Sequence, residues 1–385
     1  MINLSRFYDK DVLSWSQRLL GFSGLWPEVN DDRRFFCYIS YVIIFTLLLF
    51  VTLIQNLNDL EKTMINTTLF VPTLLIVLKA LMFRWKMSLL LPLLSTVRNN
   101  VMQGLFQGND ERETVFLYNI FSTMFSMSSA LSLFLVPTMF YSKPVVGCIL
   151  SKFNSCSLPY EIPLEIYPIY EIRGMQNYVI FCICLIPAST FLTVGATGAD
   201  SLLVSLTFYI CGQFSVLNSR IQRVPTDQDK YYRKMRSLIE RHTHLLRMAT
   251  ILGDAFSSLM FIQTLGLIFS LCIVGYQLLT VTQSGEDLNT IHFIIYACAV
   301  VLLAFCYCFL GECLIQESIA INNAIYSSNW YELPPEWAKS LMICILRARK
   351  PPTLHGGKFY EFSLETFGVI MKASLAYLSV LKTIT

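Results

Sequence analysis

Six long stretches of the chain carry no charged side chain: Phe35–Asn58, Thr63–Leu78 (continuing past Lys79 to Phe83), Thr114–Ser142, Gly174–Ala199, Ala255–Gly285 and Leu288–Gly311. A helix of about 20 apolar residues crosses a hydrocarbon core of roughly 30 Å, so these stretches predict membrane spans. A seventh, Thr366–Thr385, is interrupted only by Lys372 and Lys382. The run after Gly174 resumes beyond Asp200 as Ser201–Ser219, long enough for two short spans or for one very long helix. One helix that leaves the membrane near Asp200 is favoured, because the small, polar turn Gly195–Asp200 is too short to cross the headgroups between two spans. The segment Pro334–Arg349 is short and flanked by charges, which predicts a helix lying below the membrane. The expected fold is an all-α integral membrane protein with seven transmembrane helices.

Composition agrees with that pattern. Of the 385 residues, 54% are hydrophobic and only 14% charged, against about 25% charged in soluble domains. A net charge of +3 leaves no electrostatic footprint for nucleic acid. The placement of the charges sets the orientation, because Lys and Arg are retained in cytoplasmic loops. Of the 29 Lys and Arg, 22 fall before span one and between spans two and three, four and five, and six and seven, while five fall on the alternate loops. This predicts a cytoplasmic N-terminus and an extracellular C-terminus.

The first 34 residues lack the apolar core of a secretory signal peptide, so the first span is expected to act as signal anchor. Leu4, Phe7, Tyr8, Val12, Trp15 and Leu19 recur at helical spacing. Such a segment lies in the inner membrane interface or packs as an ordinary helix. The chain thus divides into a cytoplasmic segment (1–34), six spans carrying any ligand pocket (35–311), a cytoplasmic region with a short helix (312–362) and a last span (363–385).

No nucleophile elbow, P-loop, zinc-protease or dinucleotide motif occurs, and the acids are scattered over loops, so no enzyme and no cofactor are expected. His242, His244, His292 and His355 form no ligand cluster with the cysteines, and no metal is expected. On the outer side Cys148 and Cys156 share an oxidising compartment; whether they bridge is open, since spacing fixes no geometry. Asn66-Thr67-Thr68 is an outward-facing sequon abutting span two. The inverted orientation, with no DRY-like or NPxxY motif, disfavours a G-protein-coupled receptor. Seven dissimilar spans disfavour a transporter built on repeats.

The stretches AIYSSNWYELP (Ala324–Pro334) and RARKPPTLHGGKFYEFSLETFGVIMKASLAYLSVL (Arg347–Leu381) resemble the signature region of the insect odorant receptor family. Tyr326, Trp330, Pro351, Gly357, Phe367, Lys372, Ser374, Tyr377 and Leu381 stand where the family's pattern expects them. GLWP (Gly24–Pro27), the run from Asp200 into CGQF (Cys211–Phe214), Arg241-His242 and ECLIQES (Glu312–Ser318) extend the resemblance over the whole chain. It implies a ligand-gated, non-selective cation channel assembled as a heterotetramer with an obligate co-receptor. The short loop between spans four and five implies a ligand-selective subunit rather than the co-receptor. A gustatory receptor of the same superfamily is the nearest alternative, followed by a metabotropic seven-span receptor.

By the same resemblance the last span lines the pore, with Val380 and Ile384 as an apolar gate and Thr383 between them on the pore wall. Lys372, deeper in that span, implies snorkelling or inter-subunit pairing ahead of ion contact. Tyr326, Trp330, Tyr331 and Trp337 would form a subunit anchor with the short helix, and Glu312, Glu317, Arg241 and Arg247 are candidates for pairing there. A small, volatile, hydrophobic ligand would sit among the outer halves of spans two to six. The residues implied are Phe70 and Thr73; Met127, Ala130 and Phe134; Tyr178, Phe181 and Cys182; Tyr276; and His292, Phe293 and Tyr296. The implied setting is the plasma membrane of a sensory neuron, among membrane lipid.

Overall fold

The computed structural model describes residues 13–29, 31–102, 108–129, 131, 175–224, 228–284, 287–328, 330–332 and 334–384. Short helix α1 (Ser14–Phe22) precedes α2 (Asp32–Gln55), α3 (Leu60–Met102) and α4 (109–129). Then come α5 (Met175–Gln222), α6 (Gln228–Ser284), α7 (Asp287–Tyr326), a 3-10 turn (Trp330–Glu332) and α8 (Pro335–Ala348). An antiparallel hairpin of β1 (His355–Gly356) and β2 (Tyr360–Glu361) leads into the last helix, α9 (Leu364–Ile384).

Five of the described helices, α2, α3, α5, α6 and α7, are long and apolar enough to cross a membrane. Most overshoot it: α3 has 43 residues, α5 48 and α6 57, and 57 residues at 1.5 Å each extend about 85 Å. The charge-free runs therefore mark the parts of helices within the membrane and not the helix ends. Helix α6 continues unbroken through Lys230–Arg247, because Lys, Arg, Glu and Leu all favour helix and no Gly or Pro intervenes.

The single long helix expected from Gly174 onward is α5, and it is the hub. Side chains from Ser201 to Phe214 are buried all round, where α1, α4, α6 and α7 surround it. The small residues around Gly198 are packing sites and not a turn. An added Cβ at Gly195 would come within 2.6 Å of Tyr38 Oη, and one at Gly198 within 2.9 Å of Leu20 Cδ2. Tyr38 is fixed in place, its hydroxyl donating to Leu192 O at 2.7 Å. Glycines let helices approach closely where lipid supplies no hydrophobic drive.

Residues 1–12, with Leu4, Phe7, Tyr8 and Val12, lie outside the described set. The part of that segment described, α1, packs on α5 with Leu13, Ser16 and Leu20 buried, while Trp15 and Leu19 are half-buried. In the GLWP stretch Gly24 has φ +72°, and a Cβ there would strike the backbone of Arg34 and Phe35. This tight turn lets Leu25 and Trp26 bury beneath α2.

Candidate ligand site and pore helix

Helices α3 and α6 run antiparallel, in contact where Leu75 meets Gly266. Counting outward from that contact, Thr73, Phe70 and Asn66 on α3 rise beside the α6 stretch from Ser270 to Gln277. Thr73 is buried and its Oγ1 donates to Phe70 O at 2.8 Å, while the Phe70 ring packs on Phe50 of α2 at 5.6 Å. Tyr276 is buried in α6. Tyr296 on α7 is half-buried with its hydroxyl toward Ser270 of α6, and Phe293 is half-buried one turn nearer the start of α7. The structure thus brings Thr73, Tyr276 and Tyr296 onto α3, α6 and α7, with α6 packed against both of the others, and turns Phe70 toward α2.

Met127 is 52% exposed on α4. The backbones of Tyr178, Phe181 and Cys182 lie in α5 and that of His292 in α7, but their side chains, like Ala130, Phe134, Cys148 and Cys156 entirely, lie outside the described residues. Asn66, singled out in the sequence only as a sequon, is 2% exposed on the α3 face shared with Phe70 and Thr73, and its Nδ2 has no hydrogen-bond partner among the described residues. A separate crevice, between α4 and α5, is lined by Val115, Tyr118, Asn119, Ser122, Phe208 and Tyr209. Its cavity volume of about 10 Å³ is far below the roughly 300–1,000 Å³ of small-molecule pockets.

The base of α9 is built with care for its first amides. The Ser363 hydroxyl accepts from Thr366 N at 3.2 Å, and Glu312 on α7 accepts from Leu364 N at 3.3 Å. A carboxylate at a helix N-terminus satisfies orphan donors and faces the positive end of the dipole. The preceding hairpin clamps α6: Gly357 N donates to Ser257 O at 3.1 Å, Ser257 Oγ to Gly357 O at 3.0 Å, and Phe359 stacks on Phe261 at 5.1 Å. Burial pushes the Tyr360 phenol above its ordinary value.

Along α9, Ile370 and Ser374 are buried against the chain's own bundle, whereas Val369 (60%), Lys372 and Leu375 (61%) are exposed. Val380, Thr383 and Ile384 occupy the last turns of the helix, with side chains outside the described set.

Polar links tie the bundle together internally. Lys79 Nζ on α3 holds Asp200 on α5 with contacts of 2.7 and 2.9 Å, the side chains being 4% and 18% exposed. The hydroxyl of Tyr307 on α7, 3% exposed, is turned to Asp200 but makes no hydrogen bond of regular geometry among the described residues. On the opposite side of α5, Ser201 and Ser205 meet Ser16 of α1 and Ser126 and Ser122 of α4 at 2.7 to 3.4 Å. Nearer the end of α5, Arg220 grips Glu111 of α4 at 2.9 and 2.7 Å, and Arg84 of α3 pairs with Asp32 of α2.

The residues named for pairing in the anchor region have other partners. Arg241 donates to Gln213, Glu317 accepts from Tyr118, Glu312 caps α9 and accepts from Gln316, and Arg247 is exposed. Helix α8 forms where the short helix was expected, started by Pro335 and burying Leu341, Ile345 and Ala348 at helical spacing. Met342, Ile343 and Leu346 remain exposed, as do Tyr326 and Tyr331 near it. Trp330 is half-buried, its ring 6.4 Å from Tyr326 and 6.3 Å from Tyr331, and Trp337 is half-buried on α8.

Long apolar helices cross-linked by buried polar pairs, with a last helix bound by only one face, define a multi-pass helical membrane protein. The family model described as 7tm Odorant receptor matches residues 59–375, and the chain belongs to that family. It is 24% identical over 366 residues to odorant receptor 9a of Drosophila melanogaster, which spans 93% of this chain and 92% of that one. Likeness to the odorant receptor coreceptor of Anopheles gambiae is 29% over 143 residues, 37% of this chain and 30% of the other. The fold matches olfactory receptor OR5 of Machilis hrabei, solved in complex with eugenol, with a TM-score of 0.79, 15% identity, and 100% and 99% of the two chains covered.

Proposed function

We propose that this chain is the ligand-selective subunit of an odorant-gated, non-selective cation channel, assembled with the co-receptor as a heterotetramer in the plasma membrane. It spans the membrane seven times with its N-terminus cytoplasmic, as the skew of Lys and Arg predicts. A small hydrophobic volatile binds among the outer parts of α3, α4, α5, α6 and α7, at Thr73, Tyr276, Tyr296 and the neighbours named from the sequence. The ligand favours the open state only through tighter binding to it. The apolar ring of Val380 and Ile384, with Thr383 beside it, widens in response. Tyr326, Trp330, Tyr331 and Trp337, with exposed Met342, Ile343 and Leu346, form the cytoplasmic anchor between subunits. Aromatic side chains suit this because they lose little rotamer freedom on contact.

The observation that carries the proposal is α9. It is attached to its own bundle by Ile370 and Ser374 and leaves Val369, Lys372 and Leu375 uncovered, as a helix shared around a central pore would. The test is whole-cell recording from cells expressing this chain with and without the co-receptor, across a panel of volatile esters, alcohols, ketones and aromatics. Odorant-evoked cation current requiring both chains is expected. Tyr296→Ala should change the ranking of odorants, and Val380→Ala the ion permeation or resting current. The two substitutions affecting odorant ranking alike would overturn the assignment of pocket and gate.

A further inference from the structure

An ion pair inside a membrane bundle calls for a reason, because a single charge there is costly and the pair must be kept together. Lys79, Asp200 and Tyr307 lie in three different apolar helices, α3, α5 and α7. Three of the five helices proposed to carry the odorant pocket meet here. Lys79 is six residues inward of Thr73 on the same helix, about 9 Å, and Tyr307 is eleven residues inward of Tyr296, about 16 Å. The Tyr307 ring then lies 6.3 Å from Phe362, the residue just before α9 begins at Ser363 and Leu364. One turn inward of Tyr307, Gly311 sits directly against the Phe362 backbone. The three side chains are therefore placed between the pocket and the root of the pore helix.

The arrangement has one donor more than it uses. Both Asp200 oxygens accept from Lys79, while the Tyr307 hydroxyl, buried and turned to the same carboxylate, makes no hydrogen bond of regular geometry among the described residues. A buried hydroxyl left without a partner is destabilising. A buried carboxylate that lost Lys79 would be far more so. The two costs offset each other if Asp200 exchanges one donor for the other as α3 and α7 shift around α5.

We propose that Lys79, Asp200 and Tyr307 form a partner-exchange coupling between odorant pocket and gate. In the closed state Asp200 is held by Lys79. Outward strain on α3 lengthens that pair and draws the carboxylate to Tyr307, whose ring carries the displacement to Phe362 and the first turn of α9. All three are positioning residues and touch neither odorant nor ion. The proposal rests on the channel function above.

The test records concentration–response curves with the co-receptor, using the most effective odorant of the panel for the wild-type chain, alongside surface labelling. Tyr307→Phe keeps the ring and deletes only the hydroxyl, so Asp200 loses its second partner. Surface level should be unchanged and half-maximal activation should move about three- to tenfold to higher odorant concentration, the scale of one hydrogen bond. Asp200→Asn weakens the closed-state pair and should raise the current without odorant. A Tyr307→Phe curve that overlays the wild type would overturn the coupling. So would an Asp200→Asn chain that reaches the surface with unchanged resting current; should that chain fail to reach it, Tyr307→Phe decides alone. Failure of the channel function itself looks different: the wild-type chain would be silent to every odorant.

Discussion

Within six residues, helix α5 presents two polar faces that solve the same problem in opposite ways. On one, Ser201 and Ser205 meet Ser16, Ser122 and Ser126 in a chain of neutral hydroxyls that joins α1, α4 and α5. On the other, Asp200 meets Lys79 and faces Tyr307. The serine seam is redundant: each hydroxyl donates and accepts, so removing one leaves the rest able to rotate and pair again. The charged face has no such reserve beyond Tyr307, and its two halves depend on each other. A seam of many weak bonds holds helices in register, whereas a single charge pair concentrates the energy at one point where a shift of a few ångströms changes partners.

The largest effect should come from breaking the charged face on one side. Lys79→Met leaves Asp200 uncompensated in the bundle, a loss of about 3–5 kcal/mol. Surface labelling should fall sharply, and the detergent-solubilised receptor should lose its monodisperse elution peak at lower temperature. The exchanged pair, Lys79→Asp with Asp200→Lys, should recover most of the surface signal. Recovery by the exchange separates loss of attraction from loss of shape, and its absence would mean that the pair's exact geometry matters more than its charge.

A middle-sized effect tests why the two faces can lie so close on α5. Gly195 and Gly198 let Tyr38 and Leu20 press against the helix backbone just before the polar residues begin. Gly195→Val forces a side chain into the Tyr38 ring, whose hydroxyl is tied to Leu192 O. The cost should be about 1–3 kcal/mol. Thermal stability should fall accordingly, while Gly108→Val, at a glycine with nothing within 4 Å, should leave it unchanged.

Much of this architecture was legible in the sequence, and the part that was not has a common cause. Charge-free runs located α2 and α7, a short segment flanked by charges located α8, and the shortness of Gly195–Asp200 identified α5 as one helix. Lys79 and Asp200 each looked like a separate exception, one an interruption of a span and the other a point of membrane exit. Only the fold reveals that residues 121 positions apart neutralise each other. Gly195 and Gly198 could not be assigned their packing role for the same reason, since a glycine that receives a neighbour and a glycine that turns the chain are identical until the neighbour is known. The hairpin before α9 did leave a signal, Gly356-Gly357 between Leu354 and Phe362, which the dominant helical pattern obscured. For the pocket, sequence and fold together place Thr73, Tyr276 and Tyr296 on adjoining helices. Asn66 on the same face of α3 was passed over because a sequon draws attention to glycans and not to burial.

The smallest expected effect is the sharpest measure of the contrast between the two faces. Ser126→Ala removes the shortest hydroxyl contact of the seam, the 2.7 Å bond to Ser201, yet Ser201 retains Ser16 at 3.1 Å. Hydroxyl bonds between membrane helices average about 0.6 kcal/mol, so stability should fall by no more than that and odorant sensitivity should stay the same. Ser201→Ala deletes the hydroxyl that both Ser16 and Ser126 share, and should cost about twice as much. Adding Ser205→Ala removes the last hydroxyl of α5 from the seam, so the losses should grow faster than the sum of single changes once no alternative partner remains. Thermal unfolding of the purified single, double and triple variants, measured in parallel, gives that series directly. A single serine change as damaging as Lys79→Met would mean that the seam works as one unit, and the two faces of α5 would then differ in charge alone.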